Sequence, residues 1–301
     1  MIRIHAAGFA STVQDAGRYM HLRSGLPEAG PADPFAFAAA CVLAALSHAE
    51  AIIEIVGFPF AFSCDDLRIV AVTGREVRLR GHVALPPWTA VLARPGQELF
   101  VEGTARSRFA YLAVSGGIDL PLVLGSRATH LPSATGSVPR VLFSGDSLPR
   151  GSASWAVAAA GMHIQPPSYE GPVRAMAGPH SRRFSSAMLD TFFGAAFRVA
   201  ESSDRMGVRL EGPRIVSEGG ELLTCGIPSG AVQIPSGGAP IVLLADHQTT
   251  GGYPVIATVA RADLGRVAQA APGEDIRFAR VTRDAAVELL AAERTSLAAR
   301  A

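Results

Sequence analysis

Apolar residues in this chain fall in short β-branched runs separated by Gly and Pro, a pattern of strands and tight turns rather than long helices. An opening strand is expected at Ile2–Ile4. Others are expected over Ile52–Val56, Phe58–Phe62, Arg68–Val72, Thr89–Leu92, Glu98–Val101 and Phe109–Val114, with turns such as Pro86-Pro87 and Pro95-Gly96 between them. Such even spacing indicates a barrel or a sandwich. One helix interrupts it. Asp33 before Pro34 places a capping carboxylate ahead of a residue whose φ is preset for the first turn, and the segment to about Leu46 is apolar nearly all round, hence buried.

The second half repeats the mixture. A helix is expected over Ser181–Phe192 and strands over Val208–Leu210, Ala231–Pro235, Pro240–Ala245 and Val255–Ala260. A helix over Ala262–Gln269 and a strand over Asp275–Phe278 follow. In the tail, Arg283–Ala299, the residues Ala286, Leu289, Leu290 and Leu297 recur at helical spacing. A boundary is expected between Gly145 and Pro167, beside a strand at Trp155–Ala160, giving β-rich halves at 1–160 and 161–301.

Composition narrows the function. Hydrophobic residues make up 49% and charged residues 18%, enough for a sizeable core and unlike a disordered chain. The net charge of +1 and the lack of a basic stripe with interleaved aromatics argue against nucleic acid as a partner. All 27 basic residues are Arg. Without Lys the chain holds no Walker phosphate loop, no Schiff-base amine and no biotin attachment site. Cys41, Cys64 and Cys225 are widely spaced among apolar or β-type neighbours and read as reduced thiols of a cytoplasmic protein. No basic start followed by a long apolar run suggests a signal peptide, and Phe35–Leu46 is too short to span a bilayer, so no membrane partner is expected.

The candidate chemistry sits in polar turns, above all Ala245–Pro254 between two apolar strands. Asp246 or His247 could act as a general base there, with Gln248 beside them, and Thr249, Thr250 and Tyr253 add hydroxyls. Gly251 and Gly252 allow positive φ and the close approach of a ligand to backbone amides, although Gly-Gly is also a plain turn signal. Gln14, Asp15 and Arg18 form either a structural ion pair or a clamp for an anion. Arg127, Thr129 and His130 could line a pocket, a lone loop His being more often on the surface. Asp204 and Arg205 offer another charged pair, and Gln233 a strand amide. These groups suit a small amide-like or carboxylate-bearing substrate. No His-Glu-x-x-His, Cys cluster, Gly-x-Ser-x-Gly elbow or dinucleotide fingerprint accompanies them.

Several motifs together are similar to a known family. They are Thr12-Val-Gln-Asp-Ala-Gly-Arg18, Gly30-Pro-Ala-Asp33, Tyr111–Asp119, Leu124-Gly-Ser-Arg127, Ser203–Leu210, Gly226–Pro235 and Asp246–Pro254, in that order. The chain resembles the biotin-dependent carboxyltransferase-like family that includes KipA and allophanate hydrolase subunit 2, over Ile2 to Phe278. The resemblance implies a mainly β, cyclophilin-like barrel architecture in two related halves with a few helices. It also implies a KipI-type B subunit sharing the active site. In one branch an A subunit joins and the complex opens the lactam of 5-oxoproline to glutamate using ATP. In another, a carboxyl group passes from carboxybiotin to urea. In a third, KipA-like proteins bind a kinase inhibitor. Two departures stand out. Tyr19-Met20 replaces the usual Pro-Gly, which is expected to redirect the loop after Arg18. Ala128-Thr-His130 replaces Ser/Thr-Thr-Tyr, which is expected to shift substrate preference.

Overall fold

The short apolar runs become strands that pair across long separations. A computed structural model of the chain describes residues 1–47, 50–153, 159–220 and 222–298. They divide into two compact units. The first comprises Met1–Tyr19, Ala29–Pro167 and the residues from Ser296, and the second comprises Met20–Glu28 and Ser168–Thr295.

The strands of the first unit are β1 (Ile2–Ala7), β2 (Thr12–Gln14), β3 (Ile52–Ile55), β4 (Phe60–Cys64), β5 (Arg68–Gly74), β6 (Arg78–Arg80), β7 (Ala84–Leu85), β8 (Val91–Ala93), β9 (Leu99–Glu102), β10 (Ala110–Val114) and β11 (Ser147–Leu148). They form one sheet in the order β11-β1-β4-β9-β6-β7 and another in the order β2-β3-β10-β5-β8. Ile4, Phe62 and Val101 from the first sheet pack against Ile53, Val72 and Leu112 from the second in one apolar core. Alternation then sends Glu54, Thr73 and Tyr111 to the opposite face of the second sheet. That face is covered by helix α1 (Pro34–Leu43), so β3, β5 and β10 are buried at every position.

The Asp33 carboxylate caps α1 by accepting from the Ala36 amide at 3.1 Å, and Thr73 Oγ1 donates to the Ala36 carbonyl at 2.6 Å. The helix ends at Leu43 rather than Leu46, because the chain turns out of helical geometry with Ala45 at φ 54°. Most of the strand expected at Trp155–Ala160 lies outside the described residues.

The second unit contains β12 (Val173–Ala177), β13 (Ala196–Val199), β14 (Gly207–Glu211), β15 (Cys225–Gly226), β16 (Ala231–Gln233), β17 (Ile241–Leu243), β18 (Thr250–Gly251), β19 (Val255–Val259) and β20 (Asp275–Arg280). Seven of them close a barrel in the order β12-β19-β16-β17-β14-β13-β20, with β20 returning to β12 in parallel. The mainly β architecture and barrel implied by the family resemblance are therefore present. Helix α2 (Ser186–Gly194) is shorter than expected, since Ser181–Arg183 form a separate 3-10 turn and Ser185 caps a new start on the Met188 amide. Its Phe192 stacks on Phe278 of β20, with ring centroids 4.6 Å apart. Helices α3 (Leu264–Gln269) and α4 (Arg283–Ala298) follow β19 and β20. Among the described residues, no helix is long and apolar enough to cross a membrane.

Candidate functional site

Gln14, Asp15, Arg18, Arg127, Thr129 and His130 belong to the first unit and the other expected site residues to the second. In the first unit a buried strand end delivers Gln14, whose Nε2 donates to Thr12 Oγ1 at 3.0 Å and the Thr129 carbonyl at 2.9 Å. Its Oε1 has no partner among the described residues. The Asp15 carboxylate accepts from the Gly17 amide at 2.9 Å, Ser126 Oγ at 2.6 Å and the Arg127 amide at 2.5 Å. Gly17 lies at φ 100°, a conformation that only glycine takes freely, and this lets the chain fold back onto that carboxylate. Arg18, buried, donates Nη2 to the Ala128 carbonyl, and Arg127 turns its Nε to the Leu120 carbonyl. The loops 14–18 and 126–129 are thus stapled to each other. His130, expected at the surface, is buried, with Nδ1 2.6 Å from Ser133 Oγ.

The Tyr19-Met20 departure takes a form that the sequence does not suggest. Met20 sits at φ 74°, a region favourable to glycine, so this step keeps a glycine-type conformation despite its bulky side chain.

In the second unit the loop from Ala245 to Pro254 is not a simple hairpin. Strand β16 lies between β17 and β19 and pairs with both. At the base of the loop Asp246 is 3% exposed and bound bidentately by Arg205, with Nε to Oδ2 at 2.8 Å and Nη2 to Oδ1 at 2.9 Å. The backbone reinforces this pair, for the Asp246 amide donates to the Arg205 carbonyl. Asp204, the sequence neighbour, instead accepts from the Met206 and Gly207 amides at 2.8 and 3.2 Å and shapes the turn.

His247 is the next residue and is also buried. Its Nδ1 lies 2.6 Å from the Gln248 carbonyl, which can only accept, so Nδ1 carries the proton and Nε2 holds the lone pair. Burial pushes the imidazole pKa below its ordinary value, against the opposing pull of that carbonyl and of Glu28 and Asp246. The result is a neutral imidazole whose Nε2 has no hydrogen-bond partner among the described residues. Gln248 is exposed and donates Nε2 to Gln233 Oε1 at 3.2 Å, and Gln233 Nε2 is buried with no partner among the described residues.

The rest of the loop serves as frame. The Thr249 carbonyl accepts from the Ile227 amide, Thr250 and Gly251 pair with Gly226 and Cys225 in a two-stranded arm, and Tyr253 is half exposed. Neither Gly251 nor Gly252 uses the positive φ open to it. Their value is size: a Cβ on Gly251 would lie 2.5 Å from Ile227 Cδ1 and 3.1 Å from Gln233 Nε2, and one on Gly252 would lie 3.2 Å from the Leu222 carbonyl oxygen.

Three groups escaped the sequence reading. Glu28 contributes its charge near His247. Glu54 and Tyr111 face each other across β3 and β10, with Tyr111 Oη donating to Glu54 Oε2 at 2.8 Å. The same carboxylate oxygen accepts from the Ala32 amide, and Tyr111 Oη accepts from the Asp33 amide, which fixes the approach to α1. Burial, then the Glu54 and Asp33 charges, hold the Tyr111 phenol well above its usual pKa. A lone Glu in the otherwise apolar run Ile52-Ile-Glu-Ile55 was the available signal.

The chain matches the family described as "Carboxyltransferase domain, subdomain A and B" over residues 24–280, which include parts of both units. The chain belongs to this carboxyltransferase-domain family. It is 34% identical over 293 residues to the 5-oxoprolinase C subunit of Escherichia coli, covering 96% of this chain and 94% of that protein. It is 30% identical to urea amidolyase of Saccharomyces cerevisiae, covering 92% of this chain but 16% of that protein. Among solved structures, the Kluyveromyces lactis urea amidolyase superposes with a TM-score of 0.88 at 25% identity, over 98% of this chain and 20% of that one.

Proposed function

We propose that the chain is the C subunit of an ATP-dependent 5-oxoprolinase, acting with a KipI-type B subunit and an A subunit in the cytoplasm. The complex hydrolyses the lactam of 5-oxoproline, adding water across the ring C–N bond to give glutamate while ATP is consumed. The observation that carries this reading is the end-to-end relation to the Escherichia coli 5-oxoprolinase component, 96% of one chain on 94% of the other. The fungal urea enzyme, by contrast, carries this unit as about a sixth of a longer chain. ATP is assigned to the complex and to no residue of this chain.

Within that reading His247 is the proton acceptor. Its Nε2 lone pair is available near neutral pH because burial disfavours the imidazolium, and Nδ1–H is tied to the backbone. Asp246, paired with Arg205, holds His247 in place rather than taking the proton itself. Gln233 faces the substrate amide with Gln248 holding it, and Thr249, Thr250, Gly251, Gly252 and Tyr253 complete the wall. Gln14, Asp15, Arg18, Arg127 and Asp204 act by shaping loops.

The test is reconstitution with B and A subunits and an assay of ATP-dependent glutamate release. His247→Gln should lower kcat by about a hundredfold or more, with assembly of the complex unchanged. Full activity without this chain, or with His247→Gln, would sink the proposal. A second reading, transfer of a carboxyl group from carboxybiotin to urea, draws on the close superposition with the fungal urea amidolyase. Its biotin must be carried by a partner, since this chain has no Lys.

A further inference from the structure

We propose that Gln233 is the residue that reads the ligand, its side-chain NH2 held to donate to a neutral carbonyl oxygen, and that Gln248 is the positioning residue that holds it so. The inference rests on the functional reading of the His247 loop above and names the ligand group that this site selects.

Three observations carry it. Gln233 is 1% exposed, and its Nε2 has no hydrogen-bond partner among the described residues. A buried donor left unpaired is costly and uncommon in a folded protein, and one whose side chain is tied to Gln248, the chain neighbour of the candidate base, is a place kept for an acceptor. Second, the other end of the amide is already used: Gln233 Oε1 accepts from Gln248 Nε2 at 3.2 Å. That bond fixes which end of the amide is oxygen, so the atom left without a partner is the donor nitrogen. Third, the local backbone aims it. The pairing of β16 with β19 slips between Val232 and Gln233, an irregularity of the kind that redirects a side chain. Gly251 leaves space beside the same nitrogen, where a Cβ would come within 3.1 Å of Nε2.

The chemistry of the ligand follows. A neutral NH2 matches a neutral sp2 oxygen, as in a lactam or urea carbonyl. A carboxylate would call for a cation, and Arg205 is engaged with Asp246. A ring lacking the carbonyl would leave Gln233 buried and unpaired in the complex as well, which is how a hydrogen-bonding site rejects an analogue.

The test uses the assembled complex and calorimetric titration with 5-oxoproline, 2-pyrrolidinone, urea and proline, together with steady-state kinetics. Gln233→Glu keeps the shape and the oxygen but removes the NH2. The wild type should bind 5-oxoproline and 2-pyrrolidinone at least about tenfold more tightly than proline, and Gln233→Glu should lose that preference. Gln248→Ala should raise KM several-fold with little change in kcat, and should add nothing in the Gln233→Glu background. Should Gln233→Glu misfold, Gly251→Ala crowds the same nitrogen and should give the same loss of preference.

Equal binding of proline by the wild type, no binding of any carbonyl ligand, or a carbonyl preference that survives both variants would overturn the proposal. Turnover of 5-oxoproline with a KM insensitive to Gln233 would remove this inference and leave the hydrolase reading. Gln233-dependent carbonyl binding without turnover would do the reverse.

Discussion

Each unit ends a three-residue buried strand on a glutamine, Gln14 in one and Gln233 in the other, and the two are wired in opposite senses. Gln14 spends its nitrogen on Thr12 and Thr129 and leaves its oxygen unpaired, while Gln233 spends its oxygen on Gln248 and leaves its nitrogen unpaired. The acids near them also differ. Asp15 is used up on the turn and on a second loop, with Ser126 and the Arg127 and Gly17 amides as its donors. Asp246 is used up at the root of its loop, on Arg205, and the residues beyond it, His247 and Gln248, belong to the proposed ligand site. Two stretches equally rich in polar residues thus divide into a clamp and a presenting loop. What separates them is the kind of atom left over after folding, an acceptor oxygen at Gln14 and a donor nitrogen at Gln233.

The contrast can be broken most severely at Arg205. Arg205→Ala leaves Asp246 buried without its partner and should destabilise the second unit by about 3–5 kcal/mol, read by chemical denaturation. Asp15→Ala removes an acceptor from three donors in the first unit and should cost about 1–3 kcal/mol by the same measurement. If Asp15→Ala proved the more damaging, the clamp would outweigh the ion pair and the comparison would have to be redrawn.

Such an ordering was only partly legible in the sequence. The strands of the first sandwich and the capped start of α1 follow from local patterns, because alternation and an Asp-Pro step are properties of neighbouring residues. The partnership of Arg205 with Asp246 spans 41 positions, and the adjacent Asp204 masked it by looking like the natural partner. Likewise Asp15 meets Ser126, 111 positions away. Gly251 and Gly252 looked like turn formers, whereas their smallness matters through Ile227 and Gln233, contacts that exist only once the barrel has closed. The family motifs pointed to the loop, yet spacing carried no sign of which polar atoms would remain unbonded.

Smaller effects sharpen the contrast at the tip of the presenting loop. Burial holds His247 below its ordinary pKa of 6.5, so as pH falls the unfolded chain takes up the proton first. This contribution leaves stability unchanged above pH 6.5 and lowers it below, until the folded imidazole itself protonates. The acid limb of kcat/KM should therefore also lie below pH 6.5 and vanish in His247→Gln. The smallest expected effect is on the stability of Gln248→Ala, within about 0.5 kcal/mol of wild type, because the side chain is exposed. A large loss there would make Gln248 part of the frame.

The seam of the barrel has a consequence for how the chain is made. Closure joins β12 to β20, so Val173 must wait for Phe278. Among the described strands of the first unit, by contrast, the last to pair ends at Leu148. A ribosome threading out this chain would release the sandwich strands early and hold the barrel open for roughly another hundred residues, with β12 exposing an unpaired edge meanwhile. The presenting loop, inserted before the seam closes, would acquire its final shape only once β20 has emerged.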